Sequence, residues 1–513
     1  MLDNLQSPLV VGGLVILAPF ILKRLVEKVK NSRPPLPPGP KGYPIIGNLL
    51  EIGKKETPWI NYSELSKEYG DMVYLEALGI KILVLHSLDK AVELLEKKSG
   101  NYSGRPVMPM IFEHLRFNEY FSNADYTPTW RRQRRIFHQH FHPGVVSRYH
   151  PIHSHEIIRY VQDLAATPLD FKHHIQHYFN RLIFKTFYGV KIQDRDDPYI
   201  KAGATAVEGF IQAGVPGTFL VDIIPALKYL PRWLPGMGWK DFAEYYRNLG
   251  LWAKQAPYDH AVKMMMDGNA EESVATRLIN ELPSPDDPAR AEQEQDVRDT
   301  LALGYIAGSD TSFATAMTFT ILMALHPEVQ KKAQEEIDSV VGVGQIPGFE
   351  DRDKLVYIDA IIREVFRWHC EVPLGLPHKA SEDDVFEGYF IPKGTIIAAN
   401  LWHIMKDPAN YDNPNEFIPE RHIKDGQINK DVLDPYDAVF GYGRRICVGR
   451  YLSLDALYLI VSTTLAMFDI SPPKDKKLEC KFNDGAILAP EPYEVIITPR
   501  SARHEEAIRN LVY

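Results

Sequence analysis

The segment Phe440-Gly441-Tyr442-Gly443-Arg444-Arg445-Ile446-Cys447-Val448-Gly449-Arg450 concentrates more reactive chemistry than any other part of the chain. A single cysteine stands beside two arginines and ahead of a long apolar run that reads as a helix. Nearby positive charge and a helix N-terminus both favour a thiolate over a thiol. The glycines let a tight loop approach a flat ligand closely. A thiolate with no second soft ligand nearby suits haem iron better than zinc.

This loop resembles the haem-ligand signature of cytochromes P450, Phe-x-x-Gly-x-Arg-x-Cys-x-Gly. Phe440, Gly443, Arg445, Cys447 and Gly449 meet it. The resemblance implies haem b with Cys447 as the axial iron ligand. Other stretches fit the same family. Glu364-Val365-Phe366-Arg367 matches its Glu-x-x-Arg, whose i,i+3 spacing puts both ends on one helix face. Pro419-Glu420-Arg421-His422 resembles its later Pro-Glu-Arg-Phe, with His422 in the aromatic's place. Glu364, Arg367 and Arg421 are then expected to form a buried three-way salt bridge that holds the cysteine loop; the plainer reading is two unrelated surface pairs. Ala307-Gly308-Ser309-Asp310-Thr311-Ser312 matches the family's oxygen-activation stretch. The resemblance implies that Thr311 and Asp310 handle protons there, in a helix opened locally by small residues and a back-bonding side chain. Small residues that merely let helices pack are the rival explanation. Trp130-Arg131-Arg132-Gln133-Arg134 matches Trp-x-x-x-Arg. By the same resemblance Trp130, Arg134, His378 and Arg445 are placed at the haem propionates, which suit an arginine's fork. Arg131, Arg132 and Arg135 read as a docking patch for an acidic redox partner, or simply as a solvated face.

The elements that must position these residues are mostly helices. Asp89–Lys98 and Pro327–Val341 are amphipathic, each with an acid in its first turn. Asp299–Leu325 is apolar on most sides and predicts a buried central helix. Met72–Leu75, Lys81–Leu85, Thr395–Ala399 and Glu494–Thr498 read as short strands, and Pro283–Glu294 as an exposed loop. These elements predict a mainly α fold with a small β region, and the resemblance implies a P450 fold with a long central helix over a thiolate-ligated haem.

An amino-terminal run, Leu9–Leu22, is nearly all apolar, and Lys23, Arg24, Lys28, Lys30 and Arg33 follow it. Its 14 residues make about 21 Å of helix, so a span would borrow from the preceding residues or thin the bilayer. Asp3 and the lack of a basic leader oppose a cleaved signal peptide. The basic flank is expected to keep the body cytosolic. The division is residues 1–30 as membrane anchor, 31–45 as a stiff proline-rich hinge and 46–513 as catalytic domain, on an endoplasmic reticulum membrane. Composition supports a globular chain. The 513 residues carry 58 Lys+Arg against 67 Asp+Glu, and 45% are apolar. Three cysteines exclude a disulfide framework, and the net charge of −9 excludes nucleic-acid affinity driven by charge. His138, His140 and His142 alternate with no carboxylate beside them, and His173, His174 and His177 cluster; both trios are expected at the surface or at caps rather than on a metal.

The family implies monooxygenation with dioxygen and electrons from NADPH. No dinucleotide or flavin fingerprint sits in the chain, so an NADPH-cytochrome P450 reductase is the expected partner, with cytochrome b5 a candidate second donor. By analogy the pocket is lined by the loop after Arg105, Tyr305–Thr311, Val372–Leu376 and Ala486–Pro490. Its apolar character predicts a lipophilic substrate: a terpenoid first, then an aromatic polyketide, then a fatty acid, in the manner of fungal secondary metabolism. P450-type desaturation or rearrangement is an alternative, and a membrane-held haem-binding protein without turnover is the alternative of another class.

Overall fold

The computed structural model describes residues 33–52, 57–214, 218–483, 485 and 487–512. The predicted anchor at residues 1–30, the start of the proline segment and Ala486 lie outside the described residues. Among those described, no helix is long and apolar enough to cross a membrane.

The elements that matter to the site are, in chain order, β1 (Met72–Ala77), β2 (Ile80–Leu85), α1 (Pro128–Phe141), α2 (His150–Ala166), α3 (Phe171–Tyr188), α4 (Arg290–Leu325), α5 (Pro327–Val340), α6 (Val356–His369), β3 (His378–Lys379), β4 (Ile396–Ala399) and α7 (Arg450–Met467). The fold is mainly helical with one four-stranded sheet, ordered β1-β2-β4-β3, and three small two-stranded ones among the described residues. β1 and β2 are antiparallel, with Val73 opposite Val84, whereas β4 runs parallel to β2.

The central helix α4 is longer than its apolar stretch predicts. It starts at Arg290, so the second half of the expected loop is helical. Polar residues enter it because they have partners: Glu292 sits in the first turn, where the helix dipole favours an acid, and buried Asp296 faces Arg132 of α1. Further along, α4 is buried on most sides and joins two apolar clusters. Its glycines serve packing. A Cβ on Gly304 would lie 2.0 Å from the Phe187 ring, and one on Gly308 would lie 3.0 Å from Ile183, so both permit the close approach of α3.

The proline segment is docked on the body. The Pro38 carbonyl accepts the Tyr74 N–H of β1 at 2.7 Å, and the Pro35 carbonyl accepts the Phe390 N–H at 2.7 Å. Residues 35–40, expected from their prolines to form a stiff spacer, are tied down by two separate parts of the sheet region.

The histidines depart from expectation. His140, His174 and His177 are buried, and burial lowers His140 and His177 to about 4, so they are neutral core residues. His174 pairs with Thr167 and His177 with Asp194. His142 does cap its turn, accepting the Gly144 N–H at 3.1 Å. No group of three or more metal-ligating side chains gathers among the described residues.

Candidate functional site

The cysteine loop is shaped by short-range bonds. The Cys447 N–H donates to the Phe440 carbonyl at 2.7 Å, and α7 begins three residues after Cys447. Gly443 has φ +51°, and a Cβ there would meet the Leu95 carbonyl oxygen at 2.7 Å. Glycine at this position lets the loop lie against the backbone of Leu95 and Glu96, rather than against a flat ligand as its sequence suggests. Arg445 is buried and gives its guanidinium to the carbonyls of Ser103, Phe121 and Ala124 at 2.9–3.0 Å. Its plane lies over Trp130, 4.6 Å from the ring centroid.

Cys447 is exposed to solvent even though the loop around it is anchored at several points. The surrounding protein pushes its thiol up, while the Gly449 N–H and the charges of Arg134 and Arg450 pull it part of the way back. This corrects the expectation that Arg444 and Arg445 lower it. Arg445 is turned to carbonyls, and exposed Arg444 packs over Tyr126 at 5.2 Å. A coordinated metal ion would supply the missing charge and deprotonate the thiol outright.

Helix α1 brings Trp130 and Arg134 onto one face, one turn apart. The Trp130 Nε1–H is buried without a partner. Such a donor costs about 1–3 kcal/mol unless something bound accepts from it. Arg134 is half-buried, has no carboxylate among the described residues, and burial lowers it to about 10. Two unsatisfied donors beside an accessible cysteine fit a group that carries carboxylates. His378 is also buried, but its Nδ1–H donates to the Tyr102 carbonyl at 2.6 Å, and burial lowers the ring to about 3. Nε2 is then a lone pair, so His378 becomes a donor to a carboxylate only when protonated. Arg132 leaves the expected docking patch: its Nε contacts Asp296 and its Nη2 contacts Glu292, both at 2.5 Å. Arg131 and Arg135 remain exposed.

Ala307 is exposed within an otherwise buried stretch of α4, so this part of the helix faces open space. Thr311 Oγ1 donates to the Ala307 carbonyl at 3.1 Å, yet the helix continues as regular α-helix through this turn and is not opened. Asp310 is half-buried and lines a narrow cavity together with Asn180, Tyr305 and Ser309. Burial holds its carboxyl above the usual range.

The buried salt bridge forms, with one member more than expected. Glu364 and Arg367 are fully buried and pair through two bonds, at 2.7 and 2.9 Å. Arg421 Nε reaches Glu364 at 3.2 Å, and His422 Nε2 reaches it at 2.9 Å. The residue that departs from the family's aromatic is therefore a fourth partner. Burial would raise the Glu364 carboxyl, but bonds from His422 and Arg367 outweigh it and hold the group below its ordinary value. Arg367 also donates to the carbonyls of Met405, Pro414 and Glu416, which fixes the strand-free segment leading to Arg421.

Two residues stand out only in three dimensions. Arg105 is buried and donates to the carbonyls of Leu376 and Pro377 at 2.6 and 2.8 Å. Glu371 is buried, and its carboxyl meets the Thr315 hydroxyl at 2.7 Å. The one sequence signal for Glu371 is a lone acid in the otherwise uncharged run Trp368–Pro377.

The sequence model described as Cytochrome P450 matches residues 37–497. The chain is 39% identical over 500 residues to cytochrome P450 monooxygenase COX1 of Coprinopsis cinerea, covering 96% of each. It is 35% identical over 497 residues to tryptamine 4-monooxygenase of Psilocybe cyanescens, covering 95% of this chain and 97% of that one. A similar 35% holds over 503 residues for cytochrome P450 monooxygenase ple1 of Rhodocybe pseudopiperita, covering 97% and 95%. With these matches over nearly its whole length, the chain belongs to the cytochrome P450 family, monooxygenases built on a cysteine-ligated protoporphyrin IX haem iron.

Proposed function

We propose that Cys447 is the iron ligand and that the chain hydroxylates or further oxidises a lipophilic small molecule, a terpenoid first among candidates, in fungal secondary metabolism. The observation that carries the ligand assignment is the orphaned Trp130 indole one turn from partnerless Arg134, beside an accessible Cys447. When bound, the haem supplies dioxygen activation. Trp130 and Arg134 donate to its carboxylates, while Arg445 braces the cysteine loop from behind through three carbonyls. Asp310, which burial keeps prone to hold a proton, passes it to the Thr311 hydroxyl, and that hydroxyl must first turn away from the Ala307 carbonyl. NADPH-cytochrome P450 reductase delivers electrons, and Leu9–Leu22 holds the protein on the endoplasmic reticulum with its body in the cytosol.

The test is the reduced carbonmonoxy spectrum of the purified protein. A thiolate-type Soret band is expected in the wild type and not in Cys447→Ser. A wild type without that band refutes the ligand assignment. Soret titration with terpenoids, aromatic polyketides, fatty acids and indole-ethylamines then sorts substrate classes. Indole-ethylamines belong in the panel because one relative is named for tryptamine. A saturable shift with another class, and none with terpenoids, rejects the terpenoid reading.

A further inference from the structure

Glu371 has no task in the mechanism above. It follows Cys370, whose left-handed backbone, φ +52°, turns the chain sharply out of α6. A non-glycine residue pays about 1–2 kcal/mol for that conformation. The turn places the Glu371 carboxyl, 6% exposed, 2.7 Å from Thr315 Oγ1 of α4. Thr315 Oγ1 also lies 3.1 Å from the Thr311 carbonyl, one helical turn back. The Glu371 carbonyl accepts the Leu488 N–H at 2.8 Å, and His369 Nε2 donates to the Leu488 carbonyl at 3.0 Å. The central helix, the loop after α6 and the Leu488 loop therefore meet at this one residue.

A hydroxyl has a single hydrogen, yet Thr315 faces two acceptors, a backbone carbonyl and a carboxyl. One hydrogen makes a full, linear bond to only one of them, so two full bonds here need a proton carried by Glu371. No cation pairs with this carboxyl among the described residues, and burial raises it to about 7.

We propose that Glu371 is a positioning residue whose proton, acting through Thr315, sets the hydrogen bonding of the Thr311 turn. This rests on the reading of Thr311 given above. With the proton in place, Glu371 donates to Thr315 and Thr315 donates to the Thr311 carbonyl. When Glu371 releases that proton to solvent, Thr315 turns its one hydrogen to the carboxylate and the Thr311 carbonyl loses a partner. The change falls on the turn whose own hydroxyl must leave Ala307.

Four other titratable groups lie on the elements that meet at Glu371 or on their neighbours. His369, held neutral at about 3, and Cys370, pushed up by burial, adjoin it on the α6 end. Lys406, lowered by burial to about 8, lies on the short helix over Cys370, and Asp310 lies on α4. Lys406 is the group closest to Glu371 in titration range and is the necessary control.

The experiment is the C–O stretch of the reduced carbonmonoxy complex of the full chain, followed from about pH 5.5 to 9, which brackets the expected ionisation. The wild type is expected to interconvert between two bands with a midpoint near 7. Glu371→Gln should stay in the low-pH form and Thr315→Val should lose the titration, while Lys406→Met and Asp310→Asn keep it. A wild type that does not titrate overturns the proposal, as does a titration that survives in Glu371→Gln or Thr315→Val. If Glu371→Gln does not retain haem, Thr315→Val and the infrared band of a protonated carboxyl in the wild type decide it; absence of that band at pH 6 is fatal. A complex without thiolate character would overturn the Cys447 reading together with this one, whereas a thiolate complex that fails to titrate overturns this one alone.

Discussion

Replacing Glu364 with Gln is expected to be among the most destabilising isosteric changes available in this chain. The side chains of Glu364 and Arg367 have no exposed surface, and those of His422 and Arg421 have 2% and 8%. Glu364 is the only acid among these four, so its amide would leave the buried Arg367 guanidinium with carbonyl partners alone. The amide's N–H₂ would also face donors in either orientation: Arg367 Nε at the Oε2 position, or Arg367 Nη2, Arg421 Nε and the Ile418 N–H at the Oε1 position. Breaking a buried pair from one side costs about 3–5 kcal/mol, because it strands the other charge. That is at least a hundredfold in the folded-to-unfolded ratio, since about 1.4 kcal/mol is tenfold. Urea unfolding of the haem-loaded protein, followed by Soret absorbance and by tryptophan fluorescence, measures it. The midpoint should fall with little change in slope, as expected when stability changes without a change in exposed surface. His422→Phe, which removes one bond of 2.9 Å and leaves the arginines paired, should cost only about 1 kcal/mol. The reasoning fails if Glu364→Gln costs less than about 1 kcal/mol, which would mean that solvent or rearrangement compensates the stranded charge.

Trp130→Phe keeps the ring and deletes the orphaned donor, so it should speed haem loss to apomyoglobin several-fold while leaving the unfolding midpoint of the apoprotein unchanged or higher. Gly304→Ala puts a methyl 2.0 Å from the Phe187 ring and should cost about 1–3 kcal/mol by overpacking, read from thermal unfolding; a neutral result would mean that α3 can shift away. Glu371→Gln should stabilise the protein above about pH 7 and not below the ordinary carboxyl value of 4.5. A raised folded-state value costs nothing while both states hold the proton, and the penalty accrues as pH rises through the window. A displacement from 4.5 to about 7 is worth about 3 kcal/mol at the plateau, so equal stability of the two proteins at pH 8 in chemical denaturation would refute it.

Local signals in the chain were enough for most of the elements and for singling out the cysteine loop. The apolar run of the central helix, the short apolar runs of β1 and β2, and the spacing of Cys447 from Phe440 and Gly449 are properties of neighbours along the backbone. Periodicity and turn chemistry report such properties directly. The Glu364 and Arg367 pair was legible for the same reason, because three residues along a helix share a face. His422 was not: its place in the network depends on a return of the chain 58 residues later to within 2.9 Å of Glu364. Gly308 read as part of the oxygen-activation stretch and lies against Ile183 of α3, since only the packed neighbour shows what a missing Cβ makes room for. Arg132 and Arg445 carry the same formal charge as Arg134, yet one meets acids on α4, one meets three carbonyls, and Arg134 alone is left for a ligand. What the sequence by itself determined is the type of chemistry and the helices that carry it, because these follow from residue type and short-range spacing. What only the tertiary structure decided is which charges are spent and which are free, because pairing and burial depend on groups far apart in the chain that folding brings within a few ångströms.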